Sequence, residues 1–424
     1  MMAAGGNFLQ PVITLTYLRY YTTISNERVP MFQLPDYIGP CAFGIKMGVI
    51  VPGTDLQEMI LHDITRMDAD GMLENCDVLA ITESIVARAQ NNYVSIDDVA
   101  EEFKKVLSLT PESRVGVVFP IISRNRFSLI LKSIARAVPQ GEVIVQLSFP
   151  DDEVGNQIIP PDVATELGEK HGGLIRPGDL PQEFTHPLTG VNYIELYETI
   201  IREAGATPTI YLCNDPTKMA DFAPDGVIAA DIHTREKTRA ALSTVIPNCC
   251  TLQDICNKGT SLPGSEWGVL GSNMSSEEKL KLAPHLADLF SCTLQDAILK
   301  KTGKHLEIII YGDGAYKDPG SGIYELADPI TTFGATPGIG DSLREGFKMK
   351  YMVDMFHAEG RSEEEITKLL EEEYKRAREI HCIECEGTTP RNMKDVLASL
   401  ADLVSGSADA GTPMILIKGI HNKH

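Results

Sequence analysis

The chain has 424 residues, room for two or three domains, and its 43% hydrophobic and 23% charged residues are the balance of a globular protein with a proper core. A net charge of -21 argues against nucleic acid or an anionic membrane as a partner, and 6% aromatic residues with a single tryptophan, Trp267, argue against an aromatic-lined nucleic-acid or carbohydrate surface. No run approaches the roughly 18 apolar residues that span a bilayer, residues 1–30 lack the segments of a secretory signal, and nine cysteines, an odd number scattered along the chain, suit reduced thiols in the cytoplasm.

Residues 1–30 read as a tail, with the folded pattern starting near Ile45. Asp77 to Thr82 is a buried-type strand leading into a helix over Glu83 to Gln90. A second helix runs from Ser95 to Leu107, with Ser95 and Asp98 at capping-box spacing. Strand and helix then alternate: Val115 to Pro120, Phe127 to Val138, Glu142 to Leu147, Thr209 to Cys213, Gly226 to Ala230 and Thr234 to Val245. Residues 150–195, rich in Pro, Gly and charge, read as a long connection with one or two short helices.

From about residue 259 the pattern changes. Ser275-Ser276-Glu277-Glu278 predicts the cap of a helix running to Lys301. Leu306 to Tyr311 is a strand, and a glycine-rich irregular stretch follows to about Arg344. Ser362 to Ile380 is a charged helix whose Glu371 and Glu372 stand four residues before Lys375 and Arg376, a solvated face. Met393 to Val404 is the last helix and Pro413 to Lys418 the last strand. Strand, loop, helix, strand is the signature of an α/β fold with mixed elements and some parallel pairing.

The strongest chemical candidate is Tyr311-Gly312-Asp313-Gly314-Ala315-Tyr316-Lys317-Asp318. An apolar strand delivers an aspartate between two glycines, where a carboxylate can reach a divalent cation and phosphate can approach the backbone. A tight turn with a solvent-facing aspartate is the plain alternative. Glu325 and Asp328 lie in the glycine-rich stretch as further candidate metal ligands.

Ser123-Arg124-Asn125-Arg126, between a strand and a helix, combines two guanidiniums, a hydroxyl and helix amides, a natural anion site. Asp231-Ile232-His233-Thr234-Arg235 is another strand-end loop, with His233 as a candidate catalyst. Surface ion pairs account for the first loop equally simply; a lone histidine such as His233 is more often structural, and the second loop is a candidate ligand-contact segment. Thr389 and Pro390 fit an N-cap and first helical residue, a geometry that also presents amides to phosphate. Cys382 and Cys385 have CxxC spacing with no second pair at zinc-finger spacing, and, like Cys249 and Cys250, read as ordinary thiols. Walker A, GxGxxG, nucleophile-elbow and HExxH motifs are absent.

Taken in order, DVLAITESIVARAQ (77–90), WGVLGSN (267–273), IYGDG (310–314) and the stretch from Thr389 to Gly419 resemble the coenzyme F-420:gamma-glutamyl ligase family. VVFPIISRNRF, DIHTREKTR, YGDGAYKDP, ELADP and GTTPR resemble its longer bacterial branch. The resemblance covers nearly everything after residue 40. It implies a ligase core over residues 31–110 and 259–424, with an inserted α/β segment over 111–258, commonly as a homodimer. It also implies GTP or ATP and Mg or Mn, used to activate a carboxylate acceptor as an acyl phosphate that the amine of L-glutamate attacks.

Carried over by position, Asp313 would ligate metal. Ser272, Asn273, Gly314 and Lys317 would contact nucleotide phosphate. Thr82, Glu83, Ser84 and Arg88 would face the nucleotide, and Thr388, Thr389 and Arg391 would complete the phosphate loop. Leu270 falls where the family has an aspartate, and Ser84 where it has a lysine. These departures leave three alternatives standing: a folate-type rather than deazaflavin acceptor, a non-catalytic ligand-binding protein on the same scaffold, and a phosphotransferase or nucleotide hydrolase.

Overall fold

A computed structural model describes residues 34–420 apart from 36, 182–184, 187–189, 258, 260, 314–315, 318–323, 326–327, 341–342, 345–347, 376–390 and 406–410. The chain opens with β1 (Cys41–Ile45), α1 (Leu56–Ala69), β2 (Val78–Thr82), α2 (Glu83–Ala89), β3 (Tyr93–Ser95) and α3 (Ile96–Leu107). A second unit follows as β4 (Arg114–Val118), α4 (Ser128–Ala137), β5 (Glu142–Leu147), α5 (Pro161–His171), α6 (Tyr193–Glu203), β6 (Thr207–Leu212), β7 (Gly226–Ala229), α7 (Arg235–Ser243) and β8 (Cys249–Thr251). The chain then returns through β9 (Asn273–Ser276), β10 (Lys279–Lys281), α8 (Ala287–Thr302) and β11 (Glu307–Tyr311), and through the two-residue strands β12 (Tyr316–Lys317) and β13 (Tyr324–Glu325) to β14 (Thr332–Ala335). β15 (Leu343–Arg344), α9 (Met349–Ala358), α10 (Glu363–Lys375), β16 (Arg391–Asn392), α11 (Met393–Ser405) and β17 (Met414–Lys418) complete it.

The first sheet has the order β1-β17-β2-β11-β14, with β2 and β11 parallel and the other pairs antiparallel. Successive strand residues point to opposite faces, so Leu79, Ile81, Ile308, Ile310, Met414 and Leu416 pack against α1 and α8. Val78, Ala80, Ile309, Tyr311, Ile415 and Ile417 pack against Leu397, Ala398 and Ala401 of α11. This two-sided burial is why the three central strands read as unbroken apolar runs. At the sheet's other end, Lys418 Nζ donates to Asp77 Oδ2 at 2.7 Å and to the Met72 carbonyl at 2.9 Å, neutralising a carboxyl whose burial pushes its pKa up.

The second sheet is parallel throughout, in the order β6-β5-β4-β7-β8. Val115, Val117, Val143 and Val145 share a core with Phe103 of α3 and Ile130 and Ile134 of α4. The opposite face holds Val118, Ile144, Val227, Ala229 and Leu242 of α7. Helix α3 precedes residue 111 yet packs on α4, so it lies with this sheet. Ser95 caps it, its hydroxyl accepting from Asp98 N at 3.1 Å. A three-stranded sheet, β3-β10-β9, joins the two units.

The fold is α/β, and the expected strands and helices fall within a few residues of their predicted ends among the described residues, with three exceptions; the end of the helix expected to Ile380 lies outside those residues. Among the described residues the first strand starts at Cys41 rather than near Ile45, because β1 pairs along β17 from Cys41 opposite Lys418. Ser275 to Glu278 form no helix cap: they belong to the β9–β10 hairpin, and the next helix waits until Ala287. Leu280 and Leu282 are fully buried two residues apart, a strand period that overrides the capping pattern. The stretch after Tyr311 contains β14, which forms the sheet's outer strand. The last helix begins at Met393 as expected, where Asn392 Oδ1, three residues after Thr389, accepts from Lys394 N at 2.8 Å.

Thr388, Thr389, Pro390, Cys382 and Cys385 lie outside the described residues, as does Gly314. Glu371 and Glu372 are exposed on α10. Cys249 is half-buried and Cys250 buried, both as free thiols. Among the described residues no helix is long and apolar enough to cross a membrane.

Candidate active site

Thr82 and Tyr311 are register partners at the carboxyl ends of the parallel strands β2 and β11. The chain leaving both strands therefore enters the same space, as crevices at the carboxyl ends of parallel strands commonly do. That space is a cavity of about 540 Å³. Thr82 lines it from the end of β2, Glu83, Ser84 and Arg88 from α2, and Tyr311, Gly312 and Asp313 from the end of β11 and the two residues after it. The turn after β1 adds Met47 to Ile50, the end of α11 adds Asp402 and Ser405, and the entry to β17 adds Thr412 and Pro413. Asn273 and, from the second unit, Arg126 complete the wall.

Ser84 and Arg88, four residues apart, share one helix face toward this cavity. Gly312 is there for a spatial reason: a Cβ on it would run into the Asp328 carboxylate and into Phe333 at 2.7 Å. Its absence lets Asp328 Oδ2 accept the Asp313 amide at 2.7 Å.

Three carboxylates and two cations meet at this wall, with Asp328 and Lys281 behind it. Arg126 Nη1 donates to Asp328 Oδ1 at 2.7 Å, and Nη2 donates to Asp313 Oδ2. Lys281 Nζ donates to both oxygens of Glu83, at 2.9 and 2.8 Å. Glu83, Lys281 and Asp328 are buried, whereas the Asp313 side chain keeps 35% of its surface. Burial, then the charge of Asp328, pushes the Asp313 carboxyl up to about 7 against the opposing pull of Arg126. Burial likewise raises Glu83, with Lys281 opposing, while Asp328 and Asp313 raise Arg126 against the effect of its own burial.

Of the sequence candidates, Asp313, Arg126, Thr82, Glu83, Ser84, Arg88 and Asn273 come together here. Asp328 stands just behind, joined to Asp313 and Arg126. Ser272 is buried with its hydroxyl donating to the Val269 carbonyl, so it turns away from the cavity. Leu270 is buried in the second unit's core.

The anion cradle expected at 123–126 is not assembled. Arg124 is exposed, Arg126 is engaged by carboxylates, and the Ser123 carbonyl already accepts the amides of Phe127 and Ser128. His233 is exposed elsewhere, its amide and that of Thr234 donating to Glu153. Arg235 donates to Gln253 and lies 5.8 Å from the Trp267 ring centre. Lys317, Glu325 and Arg391 fall in short strands whose side chains are outside the described residues. Sequence reading missed Lys281, Asp402 and the Met47 to Ile50 turn; Lys281 carried a signal only as the polar residue between two buried leucines, 280 and 282.

As a cation site the cluster is largely filled from within. Both Asp328 oxygens and both Glu83 oxygens have protein donors, and among the described residues no group of three or more His, Cys, Asp or Glu side chains is arranged to hold a metal ion. Asp313 turns a partly exposed carboxylate to the cavity, which suits one bond to a cation that brings its other oxygen ligands with a nucleotide.

Residues 44–419 match the family model described as F420-0:Gamma-glutamyl ligase. No curated protein matches the chain.

Proposed function

The chain belongs to the F420-0:gamma-glutamyl ligase family, and from that premise we propose that it joins the amine of L-glutamate to a small-molecule carboxylate through an acyl phosphate, at the expense of ATP or GTP. One observation carries this reading: the cavity at the ends of β2 and β11 brings Asp313, Arg126 and Arg88 around a space of about 540 Å³, within the size range of small-molecule sites.

The acceptor carboxylate attacks the γ-phosphorus. A new P–O bond forms, the bond to the β-phosphate oxygen breaks, and the nucleoside diphosphate leaves. The glutamate amine then attacks the acyl carbon, and inorganic phosphate leaves with the C–O bonding pair. No protein nucleophile is needed, which agrees with a cavity built of carboxylates, guanidiniums and hydroxyls. Arg88, exposed on the cavity wall, is among the described residues a guanidinium placed to meet phosphate oxygens, and Ser84 stands one turn before it. Asp313 would hold a divalent cation that arrives with the triphosphate, and that cation supplies charge to offset the transferring phosphoryl group. An acyl phosphate survives only where water is excluded, and of the turn from Met47 to Ile50 that lines the cavity only Ile50 is buried.

The first test is phosphate release from ATP or GTP with magnesium and a carboxylate-rich metabolite fraction. Release should rise on adding glutamate; nucleotide turnover indifferent to glutamate would favour a hydrolase.

A pH dependence follows from the Asp313 carboxyl. Its folded value, about 7, exceeds the ordinary carboxylate value of 3.8. Between these values the folded chain holds a proton that the unfolded chain has lost. Stability contributed by this group is therefore full below the lower value and lost as pH rises through the higher one. Metal-nucleotide binding should run the other way and strengthen as pH rises through about 7, because the cation requires the ionised form. Calorimetry at several pH values checks this, and Asp313→Asn should flatten the profile.

A further inference from the structure

We infer that Arg126 is the built-in cation of the Asp313–Asp328 pair, so that this pair takes no resident divalent ion and a metal enters the cavity only with nucleotide. Arg126 does not belong to the sheet that carries the two aspartates. It comes from the β4–α4 loop of the second unit, 187 residues from Asp313 and 202 from Asp328. Its planar fork spans two carboxylates at once, one through each terminal nitrogen, a geometry that an ammonium cannot reproduce. The side chain keeps 15% of its surface and that of Asp328 keeps 2%, so the inner half of the fork is sealed while the Asp313 half faces the cavity.

The loop is held to deliver this group. Its Ile122 amide donates to buried Asp152 at 2.9 Å, and its Ser123 amide donates to the Tyr197 hydroxyl at 3.1 Å. The Tyr197 hydroxyl returns its proton to the Ile121 carbonyl at 3.0 Å. The Asn125 carbonyl accepts the Met274 amide of the hairpin at 2.7 Å, tying the loop to the first unit. Two carboxylates sharing one site repel unless a positive charge stands between them. An arginine supplies that charge permanently, since it is not deprotonated in proteins. With Lys281 on Glu83 and Arg126 on the aspartates, every carboxylate of the cluster has a protein cation, and the work a resident metal would do is already done.

Manganese is the probe, because free and bound Mn2+ are distinguished by electron paramagnetic resonance without any turnover. The full chain, without nucleotide, should bind Mn2+ only weakly. Arg126→Gln should bind it at least about tenfold more tightly, because the pair loses its internal charge. Adding Asp313→Asn to Arg126→Gln should abolish that gain. Arg126→Lys, which keeps a charge but reaches only one carboxylate well, should fall between. Thermal melting reports whether Arg126→Gln folds, and if it does not, the lysine variant carries the test through its own tighter binding. Tight Mn2+ binding by the parent chain, or equal affinity in the parent and in every folded Arg126 variant, would overturn the inference. Neither result depends on whether the reaction is glutamate ligation.

Discussion

Asp313→Asn is expected to lower glutamate-dependent nucleotide turnover by about a hundredfold or more while leaving the protein folded. The residue ends the buried strand β11 and turns a partly exposed carboxylate into the cavity. Asparagine keeps the volume and the backbone, including the amide that donates to Asp328. It removes the charge that would meet a nucleotide-borne cation and hold the outer half of the Arg126 fork. Because the side chain is only partly buried and Arg126 retains Asp328, the cost in stability should be small. Steady-state kinetics with thermal melting and circular dichroism separate the outcomes. A folded variant with undiminished turnover would remove Asp313 from the chemistry; a loss of more than about 2 kcal/mol of stability would make it a structural turn residue.

Lys281→Ala should produce the largest loss of stability, about 3–5 kcal/mol near neutral pH. Lys281 and Glu83 are both buried, and the lysine covers both carboxylate oxygens. Without it, Glu83 is an unpaired charge beside Asp328. Its folded pKa, already raised by burial, rises further, so the lost stability should return as the pH is lowered and Glu83 takes up a proton. The double variant Lys281→Ala with Glu83→Gln should be more stable than Lys281→Ala alone. Urea denaturation at two pH values measures both effects; equal stability of the single variant and the parent would mean that the pair does not hold α2 to the hairpin.

Much of this architecture was legible in the sequence because burial on both faces writes itself as apolar runs: VLAIT, EIIIY and MILIK are the three central strands. Asp313 was legible for the same reason, as the first charged residue beyond such a run. The hairpin at 273–281 was not, because Ser-Ser-Glu-Glu carries a strong local capping signal and only tertiary contacts reveal that Leu280 and Leu282 face inward. Strand β14 hid in TFGA, too short and too glycine-rich for a periodic signal.

Arg124 and Arg126 were indistinguishable by local pattern. The fold exposes one and buries the other between aspartates about 190 or more residues away, a pairing that no local spacing encodes. Lys281 was hidden for the same reason, its partner lying 198 residues back in the chain.

The most direct test of glutamate ligation is isotopic. The protein is incubated with magnesium, ATP or GTP, isotopically labelled L-glutamate and a metabolite extract containing deazaflavin and pterin carboxylates, and the products are resolved by mass spectrometry. A carboxylate compound that gains one labelled glutamyl residue, joined by an amide and formed only with nucleotide, is the predicted result. Nucleotide consumed at the same rate with and without glutamate, and no labelled amide in any fraction, would contradict it.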